Sequence, residues 1–138
     1  MNRLELRQLA EDRIGDAALL LAAGRWSGAY YLAGYAVECG LKACIARLTN
    51  QDDFSRERKF VDECYTHDID KLLKATGLKA ELDRNALANL AFSGNWGFAK
   101  DWRETSRYEQ NTQGKAQTLY DAITNNLDGV LPWIRLRW

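Results

Sequence analysis

The sequence predicts an all-α fold, an up-and-down bundle of about five helices in which residues 1–138 form a single domain. Apolar residues recur at three- and four-residue spacing along most of the chain, which is the period of an amphipathic helix. Only one proline, Pro132, interrupts this pattern. The run at residues 29–46, AYYLAGYAVECGLKACIA, is apolar on almost every side at helical spacing, which is typical of a helix buried at the centre of a fold.

Two long helices are expected in the first part of the chain. Residues 4–23 place their apolar side chains on one face, and Gly24 supplies a C-terminal stop. Residues 26–48 form the second helix, with Ser27 as its N-cap. The chain then leaves this helix at residues 49–50, and the charged stretch QDDFSRERK that follows is expected to be a loop.

Two shorter helices are expected next. The third helix should begin near Thr66 or Asp68, either of which can cap it, and should end at Gly77. The fourth helix covers residues 78–92. Residues 93–97 contain a serine, an asparagine and two glycines, and they predict irregular backbone.

The last predicted helix covers residues 115–131 and carries apolar residues along one face. Pro132 is expected either to end this helix or to kink its final turn. Neither a periodic repeat nor a low-complexity tract divides the chain, which agrees with a single domain.

Charge and composition exclude several classes of protein. Basic and acidic residues number 19 each, so the chain lacks the positive field that attracts nucleic acid irrespective of sequence, and any nucleic-acid contact must be local. Three cysteines without a CxxC pair argue against a secreted disulfide framework and indicate reduced thiols.

The first residues lack the apolar segment of a secretory signal, and residues 29–46 are too short and too polar to span a bilayer. We therefore expect a cytoplasmic protein without membrane contact.

No motif for a cofactor or a metal is present. The sequence lacks GxGxxG, GxxxxGK[ST], HExxH and GxSxG, so the local requirements for dinucleotide binding, P-loop phosphate binding, zincin chemistry and the hydrolase elbow are missing. The single histidine, His67, disfavours a metal site built on imidazoles. We expect neither metal nor cofactor. His67 stands next to Thr66 and Asp68 at a helix start, and we expect it to make local hydrogen bonds.

Three segments, in order along the chain, carry a resemblance to a known family. They are AYYLAGYAVECGLKA at residues 29–43, THDIDKLL at residues 66–73 and SRY at residues 106–108. In this order, on an all-α chain of this length, they resemble the HEPN family, named for nucleotide-binding domains of higher eukaryotes and prokaryotes. The first segment, in which small and aromatic residues precede AVExxLKA, is the most distinctive, and the similarity covers most of the chain.

The resemblance implies a bundle of four or five helices, commonly a homodimer, with a functional groove between the long helices at the dimer interface. Many HEPN proteins are metal-independent ribonucleases that act as toxins or phage-defence effectors, and they carry an arginine followed four to six residues later by a histidine. Others lack this pair and bind nucleotides or accompany a small nucleotidyltransferase. The present chain lacks the pair, because His67 follows Arg58 by nine residues.

The candidate site combines the central helix with residues 92–112. The resemblance implies that Glu38, on the central helix, lies near a motif arginine, which we take to be Arg107. Arg103 and Arg107 stand four residues apart and are expected to share a helical face that suits an anion, and the aromatic residues among them suit base stacking. The predicted nucleotide-binding or RNA-binding residues are Glu38, Lys42, Trp102, Arg103, Arg107 and Tyr108.

Each of these features also has a purely structural interpretation. Glu38 is equally expected to be a buried or half-buried carboxylate that bonds Lys42 on the next turn or a neighbouring helix. Arg103 and Arg107 are also compatible with a solvated face beside Glu104. The aromatic residues of this segment are more often found in a core or a dimer seam, and the cysteines are small core residues.

Two functions of different class follow, with a third, structural alternative. The first is a non-catalytic dimeric HEPN module that binds a nucleotide, RNA or a nucleotidyltransferase partner, in a toxin–antitoxin or defence system. The second is a metal-independent RNase toxin of degenerate motif, in which Arg107 stabilises the scissile phosphate and Glu38 or Tyr108 replaces the missing histidine. The third is a helical module that serves assembly alone. The missing histidine favours the first.

Overall fold

The computed structural model describes residues 1–51 and 65–138, without the side chains of residues 49–51. These two stretches contain no strand, which confirms the prediction of an all-α fold. Among the described residues, no helix is both long and apolar enough to pass through a membrane. The helices of these stretches are α1 (Arg3–Ala22), α2 (Trp26–Gln51), α3 (Ile69–Ala75), α4 (Lys79–Ala88), α5 (Leu90–Lys100), a 3-10 helix (Glu104–Tyr108), α6 (Gln113–Thr124) and α7 (Val130–Arg135).

The long helices α1 and α2 form a hairpin around which the bundle is built. α1 begins at a capping box, in which the side chains of Asn2 and Glu5 each accept a hydrogen bond of 2.9 Å from the backbone N–H of the other residue. The helix ends before Gly24, whose φ of +76° is a conformation that glycine adopts without strain. α2 packs along α1 and also contacts α3, α6, α7 and the 3-10 helix. α2 is therefore the centre of the fold, as the apolar run at residues 29–46 predicts.

Two glycines allow other elements to approach the backbone of α2. The indole of Trp102 is fully buried and lies directly over Gly34, where a Cβ atom would overlap the ring. Ile134 of α7 lies over Gly40, where a Cβ atom would be 3.0 Å from its Cγ2. The segment that follows α5 is thus held against α2 by the contact at Gly34.

α2 begins at Trp26 as predicted, but its N-cap and its C-terminal end differ from the prediction. The helix begins one residue before Ser27, so this serine does not cap it, and its Oγ instead accepts a hydrogen bond of 2.8 Å from the backbone N–H of Asn111. α2 also continues to Gln51, beyond the predicted exit at residues 49–50. The remainder of the predicted charged loop, residues 52–59, lies outside the described residues.

The expected signals at both ends of α3 are confirmed. Asp68 is the N-cap, and its Oδ1 accepts a hydrogen bond of 3.0 Å from the backbone N–H of Lys71. Gly77 follows the C-terminal end of the helix with a φ of +75°, the left-handed conformation that stops many helices.

The prediction for the fourth helix and for the segment after it is wrong. The helix is broken at Asn89, whose backbone is extended and whose side chain caps α5 instead. Residues 93–97, expected to be irregular, lie inside α5. Phe92, Trp96 and Ala99 are buried on one face of α5, and this packing outweighs the poor helix propensity of the serine, the asparagine and the glycines.

The single helix predicted at residues 115–131 is also wrong, because this stretch holds α6 and the start of α7. Between them, the Asn125 side chain accepts hydrogen bonds from the backbone N–H groups of Leu127 and Asp128, at 3.0 and 2.9 Å. Pro132 lies in the first turn of α7, where the N–H that proline lacks has no intrahelical partner to lose. Pro132 therefore neither ends nor kinks a helix.

Because Trp102 packs closely on Gly34, a single added methyl group at this position is expected to lower the stability of the fold. Gly34→Ala is expected to lower the free energy of unfolding by about 1–3 kcal/mol, because the added Cβ displaces the Trp102 indole. Gly15→Ala is a matched control, because Gly15 is also inside a helix but has nothing within 4 Å of an added Cβ. We expect this control to stabilise the protein by about 0.5–1 kcal/mol. Urea denaturation measures both, and equal effects of the two variants would contradict the contact.

The buried thiols of α2 predict a second measurable property. Burial raises the pKa of Cys39 and of Cys44 from the ordinary value of 9.0 to about 11. In a Cys64→Ser variant, a disulfide reagent at about pH 8 should label neither thiol in the folded protein and both after denaturation. The folded state holds these protons more tightly, so the associated stability is present below about pH 9 and is lost as the pH rises through about 11. Rapid labelling of the folded variant would contradict this prediction.

Candidate functional site

The candidate site begins with Glu38, a carboxylate buried on α2 with 1% of its surface exposed. Two cationic or hydrogen-bonding partners approach it. The Lys42 Nζ lies 3.3 Å from Oε2, one turn further along the helix, and the His67 Nδ1 lies 2.9 Å from Oε1. A buried carboxylate is costly without such partners, so this pairing allows Glu38 to remain in the core.

His67 reaches Glu38 from the turn that precedes α3. In this turn the Thr66 Oγ1 accepts a hydrogen bond of 3.1 Å from the backbone N–H of Asp68, which is itself the N-cap of α3. The imidazole is 46% exposed, and its Nε2 lies 3.5 Å from the Glu104 Oε2. The expectation that His67 makes local hydrogen bonds is wrong, because its side-chain partners come from α2 and the 3-10 helix.

The 3-10 helix supplies the exposed end of the site. The Arg107 Nη1 lies 3.1 Å from the Glu104 Oε1, and the guanidinium carbon lies 4.7 Å from the centre of the Tyr108 ring. Arg107 and Tyr108 are both exposed, so a cation and an aromatic ring meet at the surface here.

These contacts form one connected series, which we term the charge chain: Lys42, Glu38, His67, Glu104 and Arg107. The expected ion pair between Glu38 and Lys42 is confirmed. The expected proximity of Glu38 and Arg107 is indirect, because His67 and Glu104 lie between them.

Sequence reasoning missed His67 and Glu104 as members of this site. Glu104 stands three residues before Arg107, a spacing that signals a local ion pair but not a contact with an imidazole. His67 gave no signal of its long-range partners, because its contact with Glu38 joins residues 29 positions apart.

Trp102 is not part of the exposed site. Its indole is fully buried over Gly34 and stacks on Tyr31, with the ring centres 6.0 Å apart. A base cannot stack on a ring enclosed in this way, so the structural interpretation of Trp102 as a core residue is the one that its position supports.

Arg103 does not share a helical face with Arg107, which corrects the expectation drawn from their spacing. Arg103 precedes the 3-10 helix in an extended conformation, with φ of −129° and ψ of 143°. Its Nη1 donates to the backbone carbonyl groups of Lys100 and Trp102, at 2.8 and 3.0 Å. The guanidinium of Arg103 therefore closes the end of α5, whereas that of Arg107 faces the charge chain.

The aromatic component of the site comes from tyrosines of α2 and from Tyr108. Tyr31 and Tyr35 lie one turn apart and stack with ring centres 6.0 Å apart and an interplanar angle of 11°. Burial, followed by the charges of Cys39 and Glu38, raises the pKa of Tyr35 to about 12. Tyr35 is therefore a hydrogen-bond donor at neutral pH and not a proton acceptor.

The charge chain has the components of phosphate chemistry without a metal ligand set. Within residues 1–51 and 65–138, no three His, Cys, Asp or Glu side chains are grouped to hold a metal ion. A carboxylate that accepts from one imidazole nitrogen sets the orientation of the ring, which is how histidine is prepared for proton transfer. A nearby guanidinium suits a phosphate, because it presents five N–H donors in a planar fork.

Comparison of the chain with protein-family models, with curated proteins and with solved structures returned no match.

Proposed function

We propose that this protein is a HEPN-like module that binds a nucleotide or RNA through the exposed end of the charge chain. The resemblance of three ordered segments to the HEPN family and the all-α fold support this proposal. The same resemblance leads us to propose a cytoplasmic homodimer that works with a minimal nucleotidyltransferase or in a toxin–antitoxin or defence system.

The observation that carries the binding function is the position of Arg107. Its side chain is 45% exposed, its guanidinium lies over the exposed Tyr108 ring, and its Nη1 lies 3.1 Å from the Glu104 Oε1. The remaining donors are suited to a phosphate oxygen, while the free face of Tyr108 suits a base. Because the protein carries equal numbers of acidic and basic residues, this local pairing of charge and ring is what attracts the ligand.

Glu104 makes this binding selective for a strong anion. Its carboxylate already neutralises part of the Arg107 charge, so a ligand must compete with it. A phosphate offers two oxygens in the plane of the guanidinium and displaces one N–H bond to a carboxylate at little net cost. Neutral nucleosides have no such group and are expected to bind weakly.

The binding function predicts different effects for two neighbouring arginines. Arg107→Ala should weaken the binding of a fluorescent single-stranded RNA or of AMP by about tenfold or more, because it removes charge-assisted hydrogen bonds. Arg103→Ala removes the same charge four residues away, but its guanidinium bonds backbone carbonyls, so binding should change by less than about threefold. Fluorescence anisotropy at two salt concentrations measures both.

Equal losses in the two variants would show that only net charge matters and would contradict a site at Arg107. If the unaltered protein binds neither RNA nor AMP, the binding function is wrong and the third alternative, a module for assembly alone, is left.

A second candidate function, metal-independent RNA cleavage, is favoured by the orientation of His67. The sequence has no histidine close to Arg107. In the fold, however, His67 and Arg107 both lie next to the carboxylate of Glu104. With Nδ1–H donated to Glu38, the lone pair of Nε2 is the proton acceptor. Neither Glu38 nor Tyr108 then needs to replace a histidine as the base, and Glu38 becomes a positioning residue.

The cleavage step would use Nε2 of His67 and the guanidinium of Arg107. Glu104 rotates toward Arg107 and leaves Nε2 to accept the proton of an RNA 2′-hydroxyl. The 2′-oxygen bonds to phosphorus as the bond to the 5′-oxygen breaks, and the leaving oxygen takes the proton. The products are a 2′,3′-cyclic phosphate and a 5′-hydroxyl, and Arg107 stabilises the charge of the pentacoordinate phosphorus.

Cleavage predicts a pattern of loss that binding alone does not. In the presence of EDTA, His67→Ala should reduce the rate by about 100-fold or more, and Glu38→Gln should reduce it less while leaving RNA affinity nearly unchanged. Lys71→Met, a change at an exposed lysine of α3, is the control and should leave the rate unaltered. Gel analysis of labelled RNA and detection of the cyclic phosphate measure this. Cleavage that persists in His67→Ala, or no cleavage by the unaltered protein, would reject the candidate.

A further inference from the structure

A cavity of about 300 Å³ lies between α2, α5 and the first turns of α6, and none of its lining residues belongs to the charge chain. Its apolar walls are Tyr30, Phe98 and Leu119. Tyr30 and Leu119 are buried, whereas the Phe98 ring is 52% exposed and stands at the mouth. The space corresponds to roughly ten water molecules, and therefore to a ligand of roughly ten non-hydrogen atoms.

The cavity has a positive side chain in its lining. Lys115 lines it, and its Nζ lies 5.0 Å from the centre of the Tyr30 ring, over the ring face. Gly114 also lines it, in the first turn of the 12-residue helix α6, where backbone N–H groups have no intrahelical partner. Lys115 and the positive end of the helix dipole therefore act in the same direction.

The lining also includes a negative side chain. Asp101 lines the cavity and is the C-cap of α5, where the helix dipole adds to the negative charge of its carboxylate. Burial is the main cause that raises the pKa of the Tyr30 phenol, and the negative charges of Glu109 and Asp101 raise it further. The positive charge of Arg103, whose guanidinium bonds the Lys100 carbonyl at the end of α5, acts in the opposite direction.

Within residues 1–51 and 65–138, neither Asp101 nor Lys115 takes part in an ion pair, although seven pairs between a Lys or Arg and a carboxylate and two contacts of His67 with carboxylates are present there. An apolar cavity lined by one carboxylate and one ammonium group is complementary to a small molecule that carries both an ammonium group and a carboxylate on an apolar body.

We propose that this cavity binds a small zwitterion with an apolar body, of the size and chemistry of a free α-amino acid such as phenylalanine or leucine. The carboxylate of the ligand bonds Lys115 and the Gly114 N–H, and its ammonium group pairs with Asp101. The apolar side chain lies between Phe98 and Leu119. This site is separate from the proposed nucleotide site, and its test does not depend on RNA or AMP binding.

Titration calorimetry with three phenyl compounds and L-leucine tests the proposal on the intact chain. L-Phenylalanine should bind most tightly, and 3-phenylpropanoate, which lacks the ammonium group, and 2-phenylethylamine, which lacks the carboxylate, should each bind about tenfold more weakly or worse. L-Leucine tests whether the body must be aromatic. Absence of saturable binding of both amino acids below about 10 mM, or equal affinity for all three phenyl probes, would overturn the proposal.

Variants test which side chain binds each charged group of the ligand. Lys115→Met should reduce the affinity for L-phenylalanine to that for 2-phenylethylamine, and Asp101→Asn should reduce it to that for 3-phenylpropanoate. Thr118→Trp, on an exposed lining position, should block binding by filling the mouth. Lys71→Met is the matched control for loss of a lysine and should bind like the unaltered protein. Unchanged binding in Lys115→Met or Thr118→Trp would place the ligand elsewhere and overturn the site.

Discussion

The indole of Trp102 packs on the backbone of α2 at Gly34, and the position of the candidate site depends on this contact. The ring is fully buried and also stacks on Tyr31, so the direction in which the chain leaves α5 is determined there. The 3-10 helix follows two residues later and is thereby held beside α2. Glu104 and Arg107 project from this short helix, so a small residue at position 34 is a requirement of the site as well as of the core.

The second constraint is the buried charge of Glu38. Its pairing with Lys42 and His67 offsets the cost of removing a carboxylate from water, but such pairs often contribute no more to stability than apolar side chains of the same volume. A carboxylate retained at the centre of an apolar helix is therefore better explained by its effect on a neighbour. That neighbour is His67, which is half exposed and whose imidazole Glu38 orients toward Glu104 and Arg107. The Glu38 side chain therefore connects the buried core to the exposed site.

The positions of the helices could be predicted from the sequence where the local signals agreed with one another. The apolar period located α1 and α2, Gly24 marked the end of α1, and Asp68 and Gly77 marked the two ends of α3. The prediction failed where two signals conflicted. Residues 93–97 have poor helix propensity but belong to a helix, because Trp96 and Ala99 bury one of its faces. Residues 115–131 have one continuous period but are broken at Asn125, whose side chain bonds the backbone of the turn.

The sequence by itself determined the all-α class, the central position of α2 and the pairing of Glu38 with Lys42, because these depend on residues three or four positions apart. It also identified Arg107 as a candidate anion-binding residue. Only the tertiary structure showed that His67 and Glu104 lie between Glu38 and Arg107. It also showed that Trp102 is buried in the core and is not part of the exposed site. The physical reason is separation along the chain: His67 meets Glu38 across 29 positions, and no periodicity within one helix specifies which distant side chains will meet when helices pack.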